Sequence, residues 1–170
     1  MRQLLISAFL VVGLWGCGPV STCQAEGVWF LGQENSHGQE MPAGWTCEVF
    51  QRTVELTFQR LEEMAPRPKL DRKTTLYYAN GYTVEVRDKA FWDFPPYPYP
   101  VAGLTWCTEK RVLVNAPPPN ETDTLIHELV HVAQNCLPGH TDWNLKNDYD
   151  RSIYDVIRQV FDEIRAEELE

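Results

Sequence analysis

The run Thr124-Leu125-Ile126-His127-Glu128-Leu129-Val130-His131-Val132-Ala133-Gln134 constrains this chain more than any other stretch, because it sets His-Glu-x-x-His inside helical periodicity. Residues four apart on an α-helix lie about 40° apart in azimuth and one turn apart in height. His127 and His131 therefore project from one face and can grip one metal ion, with zinc the expected cofactor. Glu128 stands beside that site, where a general base takes a proton from an attacking water and passes it to a leaving amine. Leu125, Ile126, Leu129, Val130, Val132 and Ala133 make the helix apolar over most of its circumference, as burial beneath a cleft requires. The alternative is a pair of core histidines, which with a buried glutamate and no metal would demand several polar partners. Pro117-Pro118-Pro119, Asn120 as N-cap and the acids Glu121 and Asp123 mark the start of the helix. Leu137-Pro138-Gly139 is expected to stop it.

The chain has 170 residues, 44% of them hydrophobic, enough for one core and too few for two. Its formal net charge of −9 argues against nucleic acid and anionic membrane as electrostatic partners. Residues 1–16 carry an early Arg2 and a short apolar run from Leu4 to Trp15, the pattern of an export signal rather than of a membrane-spanning helix. Leu14-Trp15-Gly16-Cys17 resembles a bacterial lipobox, which would make Cys17 a lipidated N-terminus. A cut before Glu26 would leave three cysteines. The cut at Cys17 leaves Cys23, Cys47, Cys107 and Cys136 to close two disulfides in an oxidising compartment. Residues 17–44 read as a polar tether, with His37 incidental, and 45–170 as the folded domain.

In that domain, residues 45–64 alternate Val49, Phe50, Val54, Leu56, Phe58, Leu61 and Met64 with polar side chains at helical spacing. Residues 74–79 are β-branched and aromatic and predict a strand, Asn80-Gly81 a turn, and 82–86 a second strand or a short helix. The proline- and aromatic-rich stretch 91–100 is expected to cover the core, or else to rim a cleft. Residues 104–107 and 111–115 read as an antiparallel hairpin leading into the motif helix. That helix then runs back along the second strand, which brings Cys136 beside Cys107. The pairs expected are Cys107 with Cys136 and Cys23 with Cys47. The fold class is α+β.

The order of backing helix, sheet, hairpin and His-Glu-x-x-His helix resembles the zincin metalloproteases. The resemblance implies a zinc-dependent peptidase acting on peptide or protein, cell-wall peptide included, with residues 111–115 as the strand along which an extended substrate pairs. Catalytic zinc takes three protein ligands and leaves a position open. The metzincin pattern would need Gly and His where Gln134 and Leu137 stand. On the last helix, about 150–168, Asp155 and Asp162 point away from the apolar face, Glu163 lies to its side and Glu167 is close to the end. His140 remains, within chain reach of His131. With Trp143 three places later it resembles the third-ligand segment of SprT-like and WLM-type domains. Asp142 and Glu163 stay open as alternatives, and Tyr149 and Tyr154 as donors to an oxyanion. The expectation is a zinc peptidase held by lipid in a bacterial envelope; the alternative is a non-catalytic zincin-like binding lipoprotein.

Overall fold

The computed structural model describes residues 23–33, 45–64, 71–87, 93, 100–115, 121–136 and 148–167, with the backbone alone for 121–123 and 148–150. The mixed α and β content is as expected from the sequence. Among the described residues the strands β1 (Cys23–Ala25), β2 (Val28–Gln33), β3 (Thr83–Arg87), β4 (Gly103–Trp106) and β5 (Arg111–Asn115) make one sheet in the order β1-β2-β3-β5-β4. Strands β2, β3 and β5 run parallel, while β1 and β4 close the two edges antiparallel. The helices are α1 (Cys47–Met64), α2 (Arg72–Ala79), α3 (Glu121–Ala133) and α4 (Asp148–Glu167).

One cluster of buried side chains joins the sheet to the helices. It unites Val28 and Phe30 of β2, Val84 and Val86 of β3, and Val112 and Val114 of β5 with Phe50, Val54, Phe58 and Leu61 of α1, the apolar side of α3, and Ile153, Val156 and Val160 of α4. The spacing of those α1 residues puts one apolar stripe on the sheet, and Thr46 Oγ1 caps the helix by accepting from Val49 N at 3.1 Å. Phe30 stacks on Phe50 at 4.9 Å between centroids and on Trp45 at 5.5 Å. On the far face of the sheet Leu104 and Leu113 form a second, small cluster with Val101 and Trp106.

Three expectations need correction. Residues 23–33, assigned to a tether, are strands: a two-residue turn with Glu26 at φ 52° and Gly27 at φ 85° folds β1 onto β2, the left-handed pair a tight hairpin needs. A Cβ on Gly27 would come within 3.0 Å of Asn80 Cα, so that position needs glycine on both counts. Residues 74–79 are helical, not extended. Asp71 caps α2, its carboxylate accepting from Thr74 N at 3.0 Å and from the Thr74 hydroxyl at 2.6 Å, and Thr75 and Ala79, four apart, are buried. The cap and the packed face outweigh β propensity, which is weak and sensitive to context. The turn at Asn80-Gly81 is present, with the positive φ of 87° at Gly81 and a bond from Tyr82 N to Ala79 O, and residues 83–87 then form β3. Finally, β5 is hydrogen-bonded on both sides, to β3 and to β4. It has no free edge for an extended peptide, and the strand at that side of the sheet is β4.

Both expected disulfides are present. Cys23–Cys47 ties β1 to the first turn of α1, and Cys107–Cys136 ties the β4–β5 turn to the segment after α3. Helix α3 ends before the expected stop at 137–139, which lies outside the described residues: Asn135 at φ 52° and Cys136 at φ 48° turn the chain, and Cys136 N bonds back to His131 O. Asparagine tolerates this left-handed conformation better than most residues.

Candidate metal centre

Helix α3 packs against α1, α2, α4, β4 and β5. Leu125, Ile126, Leu129, Val130, Val132 and Ala133 are fully buried, which fixes the rotation of the helix about its axis and with it the direction of its polar residues. His127 and His131 are half-buried. Their Nε2 atoms lie 3.2 Å apart and their ring centroids 5.1 Å apart, with the planes at 53°. Two imidazole nitrogens on one tetrahedral zinc, each about 2.05 Å from it, would be about 3.3 Å apart. The pair therefore fits zinc in donor type and in spacing.

Glu128, one residue and about 100° further round the helix, is buried and turned toward β4. Its Oε2 accepts from the Thr105 hydroxyl at 2.6 Å. Two residues earlier on the same face of β4, Gly103 leaves room for the carboxylate: a Cβ there would stand 2.5 Å from Glu128 Oε1. Burial pushes the Glu128 carboxyl up to about 7, against the smaller downward pull of the Thr105 hydroxyl. Desolvation penalises the ionised form, and the hydroxyl donor returns part of that cost. A carboxyl poised there can both take and give a proton near neutrality.

Of the other residues singled out in the sequence, His140, Asp142, His37 and Cys17, together with the aromatic stretch apart from Asp93 and Pro100 and the side chain of Tyr149, lie outside the described residues. Glu163 faces α1. Its oxygens accept from Arg60 Nε at 3.0 Å and Nη2 at 2.9 Å, and from Gln159 at 2.9 Å, and these partners, Arg60 first, hold its carboxyl below the usual range. Glu167 is likewise bound by Arg52 of α1. Asp155, Asp162 and Tyr154 are exposed. Among the described residues no group of three or more His, Cys, Asp or Glu side chains is placed to hold a metal ion, and no helix is long and apolar enough to cross a membrane.

Sequence reasoning passed over Gly103 and Thr105. Strand alternation puts both on one face of β4, but nothing in their spacing names the glutamate they meet. Comparison with family models, characterised proteins and solved structures finds no match to this chain.

Proposed function

We propose that this protein is a zinc-dependent peptidase of zincin type, anchored by lipid at Cys17 in a bacterial envelope. The observation that carries the reading is the 3.2 Å approach of the His127 and His131 Nε2 atoms on a helix whose next polar side chain is the buried Glu128. His127, His131 and, from the sequence that follows α3, His140 would hold the zinc. When bound, the metal supplies Lewis acidity that lowers the pKa of a water and polarises a carbonyl. Glu128 accepts the proton from the attacking water and returns it to the leaving amine, a role that suits a carboxyl whose pKa lies near 7. The buried surroundings of Glu128 keep bulk water from competing for that proton. An extended peptide would pair with the outer edge of β4 rather than with β5, whose two edges are filled.

Zinc content of the purified protein and chelator-sensitive cleavage of an unstructured protein substrate test the reading together. One zinc per chain is expected, with cleavage lost on chelation and restored by zinc. Glu128→Gln should keep the zinc and lower the cleavage rate about 10²- to 10⁴-fold, the usual contribution of a placed proton acceptor. Bound zinc with no cleavage of any peptide or protein would leave a binding lipoprotein instead.

A further inference from the structure

Helix α3 alone does not determine where the Glu128 carboxylate points. A glutamate side chain has three rotatable bonds, and the half-buried histidines lie one and three residues from it on the same helix. What faces the carboxylate comes from β4. Thr105 Oγ1 lies 2.6 Å from Oε2, and among the described residues it is the one hydrogen-bonding side chain that meets this carboxylate. The same hydroxyl oxygen lies 3.4 Å from the Glu128 carbonyl oxygen, so helix and strand touch at backbone and side chain alike. At position 103 the strand has no side chain, and a Cβ there would meet Glu128 Oε1 at 2.5 Å, Thr124 Cγ2 at 2.7 Å and Glu128 Cγ at 2.9 Å. All three are shorter than the 3.0 Å below which real Cβ atoms are essentially never found, and two are with the glutamate itself.

We infer that Gly103 and Thr105 form a seat on β4 that sets the direction of the Glu128 side chain, with Gly103 as the gap that admits it and Thr105 as the positioning residue that holds it by a hydrogen bond. The seat follows from the geometry of the metal-free chain; its effect on turnover rests on the peptidase reading above. Among the described residues the Thr105 hydroxyl bonds to Glu128, and Thr105 acts through it. Its loss should therefore change the rate of the proton-transfer step and leave zinc and substrate binding as they are. Placement matters because proton transfer requires the acceptor within about 2.6 to 3.2 Å of the proton's donor. A buried carboxylate that has lost its donor has reason to turn elsewhere, since an unsatisfied buried polar group is costly.

The test has two arms. In metal-free protein, three-bond couplings along the Glu128 side chain report its rotamer: one rotamer is expected in the wild type and in Thr105→Ser, and an average over several in Thr105→Val and Thr105→Ala. In zinc-loaded protein, Thr105→Val should keep one zinc per chain and a KM within about twofold while kcat falls about 10- to 100-fold, a share of what a placed base contributes. Thr105→Ser, which restores the hydroxyl, should recover kcat to within about threefold of wild type, and Gly103→Ala should lose at least as much kcat as Thr105→Val. The seat is refuted if Thr105→Val and Thr105→Ala keep the single wild-type rotamer, or if Thr105→Ser falls as far as Thr105→Val. Should the zinc-loaded wild type cleave nothing, the peptidase reading fails, and the couplings of the metal-free protein still decide whether the seat exists.

Discussion

Glu128 is a buried carboxyl with the Thr105 hydroxyl as its hydrogen-bond donor, and its protonation is linked to the stability of the whole chain. Its folded-state value of about 7 lies above the ordinary 4.5, so the folded protein binds the proton more tightly than the unfolded one. The stabilisation from this group is complete below about pH 4.5 and is lost as the pH rises to about 7. The gap corresponds to roughly 3 kcal/mol. In metal-free protein the unfolding free energy of the wild type minus that of Glu128→Gln should fall by about this amount across that window, measured by urea unfolding at several pH values. A difference that stays flat with pH would mean the carboxyl is more hydrated than its burial implies. His127, Glu128 and His131 could be named from the sequence because they share one short helix, where spacing alone dictates geometry. Thr105, more than twenty residues away in the chain, could not.

At the level of elements, the least legible segment was α2. Thr74, Thr75, Tyr77 and Tyr78 favour a strand when read alone, and the Asp71 cap with burial of Thr75 and Ala79 makes them a helix. The hairpin of β4 and β5 and the return of α3 along it were legible, and so were both cysteine pairs. Cys107 and Cys136 are 29 residues apart in sequence, so opening this link frees a loop worth about 3 to 4 kcal/mol in the chain-entropy model. The double variant Cys107→Ser, Cys136→Ser should lose stability on this scale in urea unfolding. Because the link joins the β4–β5 turn to the segment after the histidine-bearing helix, the same variant should also bind zinc more weakly. A loss of less than about 1 kcal/mol would show that packing of α3 against β4 and β5 fixes this end of the helix without the link.

For the molecule as a whole, the proposed zinc site calls for a third protein ligand, and the proposed lipid anchor would set where the protein resides. Arg52 and Arg60 of α1 engage Glu167 and Glu163 of α4, so these acids fasten the two helices together and are poorly disposed to be ligands. His140→Ala is accordingly expected to reduce zinc affinity by at least tenfold and to abolish cleavage, whereas Glu163→Ala should keep the zinc and lose modest stability, partly exposed ion pairs contributing up to about 1 kcal/mol. Zinc titration against a chromophoric chelator separates the two. Stoichiometric zinc in His140→Ala, with loss in Glu163→Ala, would reverse the assignment. Cys17→Ser should move the protein from the membrane to the soluble fraction of a bacterial host, and absence of fatty-acid labelling at Cys17 in the wild type would rule out the anchor.

The sequence by itself determined what depends on neighbours along the chain: the amphipathic α1, the β4–β5 hairpin, the apolar α3, and the histidine pair with its adjacent glutamate, since helical and strand periods project directly from residue order. It also indicated both disulfides, because antiparallel return of a helix along a strand constrains which ends meet. Only the tertiary structure decided that residues 23–33 join the sheet, that β5 lies between β3 and β4, with β4 at the edge among the described residues, that Glu163 and Glu167 are held by α1, and that Glu128 rests in the space left by Gly103 under the Thr105 hydroxyl. Each of these is a contact between residues distant in sequence. Such contacts are set by which surfaces bury together, and the local pattern of polar and apolar residues does not encode that choice.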